Sequence, residues 1–182
     1  MQHACAFPPE GDTPATRIAL VLGIGNSLMA DDGAGVQALS LLARHGRTPN
    51  VHYVDGGTVG LALAPLIEDA GALIILDALR LGGPAGKVRV YEGAEMDRLV
   101  QGRHGTPHEV SLGDLLDVVR LQGRLPERRA LVGIEPEHLG LGLELSPCVA
   151  AGLERVAMAA RALLARWGVV ASASAPAVNP SP

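Results

Sequence analysis

Five short strand-like segments recur along this chain: RIALVLG (17–23), VHYVD (51–55), ALIILDA (72–78), KVRVYEG (87–93), whose alternation suits a half-exposed strand, and RALVGI (129–134). RIALVLG and ALIILDA, short and mostly apolar, suit buried strands of a sheet. The stretches between them carry helical spacing. Val36, Leu39, Leu42 and Ala43 predict a helix from about Asp32 to His45, stopped by Gly46. TVGLALAPLIEDA (58–70) predicts a second helix, with Pro65 as a kink or restart. VSLGDLLDVVRL predicts a third, starting near His108. SPCVAAGLERVAMAARALLARWG (146–168) predicts a long final helix, with Ser146 able to cap it and Pro147 at its first position. Strands that alternate with helices make an α/β sandwich with a mostly parallel sheet. The GGPAG link before KVRVYEG is too short for a parallel crossover, so that strand is expected to run antiparallel.

Composition narrows the function classes. The chain has 182 residues, which fits one domain, and 48% hydrophobic with 19% charged residues reads as globular. A net charge of −4 gives no reason to expect nucleic acid, whose phosphates want a basic surface. Cys5 and Cys148 form no CxxC motif, and free thiols suit a reducing cytosol. No apolar run approaches the roughly 18 to 20 residues of a membrane span. Residues 1–16 lack the pattern of a signal peptide and read as a flexible lead-in. ASASAPAVNPSP (171–182) reads as a low-complexity tail, so the folded body is expected over 17–170. These features point to a cytoplasmic protein, with a monomer as the default.

The opening turn, GIGNSLMADDGAG (23–35), poses the chemical question. It begins as a phosphate-cradling glycine turn would, but Leu28 stands where a GxGxxG motif needs glycine, and no GK[ST] follows. It then carries two adjacent acids, Asp31 and Asp32. Acids at a helix start are stabilised by unpaired amides and the helix dipole, which explains one of them better than both.

In parallel α/β sheets, ligands sit beyond the carboxyl ends of the strands. Three such ends stand out: the turn just described, DGGT after the second strand and DALR after the third. Asp77 ends an apolar strand there, as a site residue or a rim cap. Asp55 closes the second strand, and turn chemistry with Gly56, Gly57 and Thr58 explains it equally well. His108 precedes a predicted helix, with His104 a rival four residues earlier. Two carboxylates and an imidazole form an open ligand set for a divalent transition metal, without preference among zinc, iron, manganese and nickel. There is no HExxH, no GxSxG and no recognisable serine or cysteine nucleophile.

Five segments, in this order, resemble the hydrogenase maturation endopeptidases. They are VLGIGNSLMADDGAGV (21–36), VDGGTVGLALAPLIEDA (54–70), LIILDALRLGGPAGKVRVYEG (73–93), TPHEVSLGDLL (106–116) and LVGIEPEHLGLGLELSP (131–147). The resemblance implies a three-layer α/β sandwich around a twisted, mostly parallel five-stranded sheet. It implies one cut near the C-terminus of a nickel–iron hydrogenase large-subunit precursor, after nickel insertion. The family's metal-contacting acid, aspartate and histidine fall on Asp32, Asp77 and His108, and these would be the catalytic set as well. Asp32 replaces the glutamate of many members, and Asp31 is its rival for the role. The nickel would arrive with the precursor, with no organic cofactor. Asp55, Gly56, Gly57 and Thr58 resemble the family's substrate-selecting loop. A protein that binds nickel or the large subunit without cutting would use the same acids and histidine.

Overall fold

A computed structural model of the chain describes residues 18–44, 48–80, 82–101 and 110–169. The stretches read above as lead-in (1–16) and tail (171–182), with the expected boundaries of the folded body at 17 and 170, lie outside these residues. Five strands form one sheet: β1 (Ala19–Ile24), β2 (Val51–Gly57), β3 (Ala72–Ala78), β4 (Val88–Glu92) and β5 (Arg128–Ile134). Their order is β2-β1-β3-β5-β4. All pairings are parallel except β4 with β5, which is antiparallel, as the short link before β4 requires. The two central strands β1 and β3 are almost wholly buried, which is why their sequences read as unbroken apolar runs.

Helices cover both faces. On one lie α1 (Ala34–Arg44) and α6 (Leu153–Arg166), packed on Val21, Ile74, Leu76 and Val132. On the other lie α2 (Ala64–Glu68), α3 (Gly93–Gln101) and α4 (Leu112–Leu121), packed on Leu22, Leu73, Ile75 and Leu131. Alternate residues of β3 thus feed two separate cores, one on each face. Truncating any of these leucines or isoleucines to alanine costs about 2–5 kcal/mol.

Several helix boundaries differ from the sequence reading. Residues Leu61–Leu63 form a 3-10 turn and only Ala64–Glu68 is α-helical, with Pro65 in the first turn. The long final helix is broken: α5 (Pro147–Ala150) stops before Gly152, and α6 begins at Leu153. A Cβ on Gly152 would stand 2.5 Å from Ile134 Cδ1, so the break lets the chain press against the end of β5. The α3 helix was not anticipated, although Met96 and Val100 bury one side of it at helical spacing. The α4 helix begins at Leu112 rather than near His108. Its cap is Ser111, whose hydroxyl accepts from the Asp114 amide while Asp114 accepts from the Ser111 amide.

Candidate active site

The connection after β1 runs over one face through α1 to β2, and the connection after β3 runs over the opposite face towards β5. Between β1 and β3 the strand order therefore reverses, and a crevice opens at their carboxyl ends. A cleft of about 590 Å³ occupies that place. Asp32, from the turn after β1, and Asp77, the penultimate residue of β3, both line it. Gly57, Thr58, Arg80 and Leu139 also contribute, and Ser111 to Gly113 bring the start of α4 to its wall.

The glycines of the opening turn serve close approach. Gly35 begins α1 directly on the sheet: a Cβ there would lie 2.2 Å from the Leu76 carbonyl oxygen and 2.3 Å from that of Ile24. Gly25 has φ of 131°, and a Cβ on it would lie 1.8 Å from the Asp32 carbonyl oxygen. The turn therefore folds flat over the sheet edge and sets Asp32 at the cleft. Asp32 Oδ2 accepts the Asn26 amide at 2.7 Å. Among the described residues, its Oδ1 accepts no hydrogen bond.

Asp31 has a different fate, although it is the next residue. It is fully buried and faces away from solvent. Its Oδ1 accepts the Ser146 amide at 2.6 Å. Its Oδ2 accepts the amides of Glu137 and His138, at 2.9 and 2.8 Å, and the Ser146 hydroxyl at 2.9 Å. Burial alone would raise its pKa. The hydrogen bonds from His138, Ser146 and Glu137 outweigh burial and hold it below the ordinary aspartate value. Asp31 is thereby removed as a rival to Asp32 for a ligand in the cleft. The Ser146 hydroxyl, expected to cap the last helix, makes no cap hydrogen bond and serves Asp31 instead.

Of the remaining sequence-based candidates, Gly57 and Thr58 line the cleft, whereas Asp55 and Gly56 are not part of its lining. Asp55 is exposed, and its Oδ1 accepts the Gly57 amide at 2.9 Å, which is turn chemistry. His108 and His104 lie outside the described residues. Among the described residues, no three His, Cys, Asp or Glu side chains gather closely enough to hold a metal ion. Cys148 is free, and its thiol donates to Glu137. No helix among the described residues is long and apolar enough to cross a membrane.

A family profile described as hydrogenase maturation protease matches residues 36–162, well over half of the chain. The chain belongs to the hydrogenase maturation protease family. It is 36% identical over 167 residues to the hydrogenase expression/formation protein HupD of Rhodobacter capsulatus, covering 90% of this chain and 76% of that protein. It is 34% identical to the hydrogenase 2 maturation protease of Escherichia coli, covering 84% and 93% of the two chains. Among solved structures, the hydrogenase maturating endopeptidase HybD from E. coli superposes with a TM-score of 0.76 at 31% identity, over 83% of this chain and 94% of the other. The switch-point cleft is thus carried by an endopeptidase of hydrogenase maturation, from a family that processes the hydrogenase large-subunit precursor and depends on nickel.

What the sequence reading missed in this maturation protease is the loop after β5. Residues 135–146 reach the cleft rim, where Leu139 lines the wall. The loop is bound to the opening turn through Asp31 and by the backbone, with Ala30 N donating to Gly142 O at 2.7 Å and Gly142 N to Leu28 O at 3.0 Å. The segment EPEHLGLGLELSP signals no such role, because the groups that bind Asp31 are mostly main-chain amides.

Proposed function

We propose that this protease removes the C-terminal extension of a nickel–iron hydrogenase large-subunit precursor and reads the inserted nickel through Asp32, Asp77 and His108. The observation that carries this reading is the meeting of Asp32 and Asp77 in one cleft at the β1/β3 switch point. In the sequence, His108 stands three positions before Ser111, which lines the same cleft. Two carboxylates and an imidazole are oxygen and nitrogen donors that complete the coordination of a divalent ion already held by the precursor's own ligands. The nickel is part of the substrate, and the enzyme needs no store of it.

The chain's own residues then perform two tasks. The Oδ1 of Asp32 contacts the incoming ion, and the Asn26 amide, donating to Oδ2, holds the carboxylate in that orientation. Asp77, at the end of a fully packed strand, takes the proton of the attacking water as general base. The apolar walls, including Ile24, Val59, Leu79 and Leu139, seat an extended peptide beside these carboxylates. Gly57 and Thr58, with neighbouring Asp55 and Gly56, contact the precursor at the rim. The protein acts in the cytoplasm as a monomer, on the precursor before assembly.

The test is intact-mass spectrometry of the matching precursor mixed with this protein, once loaded with nickel and once without. Loss of a C-terminal peptide only from the loaded precursor is expected. Cleavage of both forms would remove nickel sensing from the account, and cleavage of neither would refute this choice of substrate.

A further inference from the structure

The buried Asp31 carboxylate is a charge that the proposed reaction does not use. Its four hydrogen bonds come from three residues of one loop, at separations of 106, 107 and 115 positions. Charge-assisted bonds of this kind offset the cost of burying a carboxylate, and each becomes stronger where water is absent. The loop they hold is also tied to the opening turn by main-chain bonds from Ala30 to Gly142, from Gly142 to Leu28 and from Asp31 to His138, but it offers few side chains to the interior: Glu137 and His138 are exposed, and Leu141 and Leu143 are 85% and 73% exposed. Its partners all belong to the loop after β5, part of which lines the cleft. The bond set thus ties the opening turn to a loop of the cleft rim. On one side of it, the next residue is Asp32. On the other, the residue after His138 is Leu139, part of the cleft wall.

We propose that Asp31 is a positioning residue for peptide cleavage: it locks the loop after β5 onto the opening turn and so fixes Asp32 and Leu139 relative to each other. The inference rests on the reading that Asp32 meets the substrate's nickel. Misplacement of a reacting group by about 1 Å costs on the order of a hundredfold in rate, so a rim that can drift costs turnover even when the fold survives.

Asp31→Asn tests this, because it keeps the shape but turns one acceptor into a donor. With its NH2 at the Oδ1 place it faces the Ser146 amide, and flipped it faces the amides of Glu137 and His138. Either way an N–H meets an N–H and the loop is released at one end. With nickel-loaded precursor, kcat per folded molecule is expected to fall about a hundredfold, with KM changed by less than about threefold. A purely structural role would lower the melting temperature and the active fraction but leave kcat per folded molecule intact, and that result overturns the proposal. If Asp31→Asn does not fold, Ser146→Ala decides, since it deletes one donor only. Its kcat is expected to fall roughly tenfold, and an unchanged kcat overturns the proposal. Asp32→Asn, run in parallel, separates the two ideas. Full activity of Asp32→Asn refutes the nickel reading itself, whereas its inactivity beside a fully active Asp31→Asn refutes only the role of Asp31.

Discussion

Gly25 lies directly beneath the carbonyl oxygen of Asp32, at a distance that leaves no room for a side chain. The backbone of the turn is folded on itself at this point, and the carboxylate at the cleft depends on it. Gly25→Ala combines a forbidden contact with a φ that L-residues avoid. We expect it to cost at least about 2 kcal/mol of stability and to abolish processing. Urea unfolding and the precursor mass assay check the two halves of this expectation.

Asp32 and Asp77 should respond differently to conservative change. Asp77→Asn keeps the shape and removes the charge and the proton acceptor, and kcat should fall about a thousandfold. Asp32→Glu adds one methylene to a side chain that already borders open space in the cleft. Its kcat should stay within about tenfold of the parent. A dead Asp32→Glu with normal folding would show that reach, not charge alone, sets the contact.

Acid should weaken the far side of the molecule through Asp97. Arg129 donates to both of its oxygens, at 2.9 and 2.6 Å, and Arg120 approaches at 3.2 Å. The hydrogen bond from Arg129 is the main reason that the Asp97 pKa lies below the ordinary value, with burial opposing it. A depressed carboxyl pKa contributes stability that is fully present above the unfolded value of about 3.9 and is lost as pH falls through the folded value. Melting temperature should therefore drop below about pH 4, and Asp97→Asn should flatten that part of the profile. The variant should also lose about 1–3 kcal/mol at neutral pH, because it leaves Arg129 short of its charged partner.

The cap of α4 offers a milder test. Ser111 and Asp114 satisfy each other's amides, and Ser111 also lines the cleft. Ser111→Ala should cost about 1 kcal/mol, read from thermal unfolding. A loss in kcat beyond the folded fraction would show that the start of α4 is held in place for catalysis.

Much of this architecture was legible because local rules and tertiary structure agree. The β3 strand is an apolar run that ends on Asp77, and it is buried on both faces as its composition demands. The antiparallel β4 followed from a connection length. The α3 helix escaped because it starts on a glycine and buries only Met96 and Val100 fully, too thin an apolar stripe to announce itself. The break at Gly152 came from contact with Ile134, a partner that no local window contains. In the cleft, strand-end position pointed to Asp77 as either a site residue or a rim cap, and Asp32 was preferred to Asp31 only through the family resemblance; both line the cleft. The separate duty of Asp31 could not be read, since two adjacent aspartates look alike in sequence and the partners of one are main-chain amides more than a hundred residues away.

That distance has a bearing on how the enzyme is made. The Asp32 turn leaves the ribosome early, but the amides that enclose its neighbour emerge only when synthesis has passed Ser146. Until then the Asp31 carboxylate has none of these donors and must stay in water. A nascent or truncated chain that stops short of Ser146 therefore carries the Asp31–Asp32 turn without the loop that encloses it. The enclosure of Asp31 is thus completed only once the loop after β5 has been made and can close over the turn.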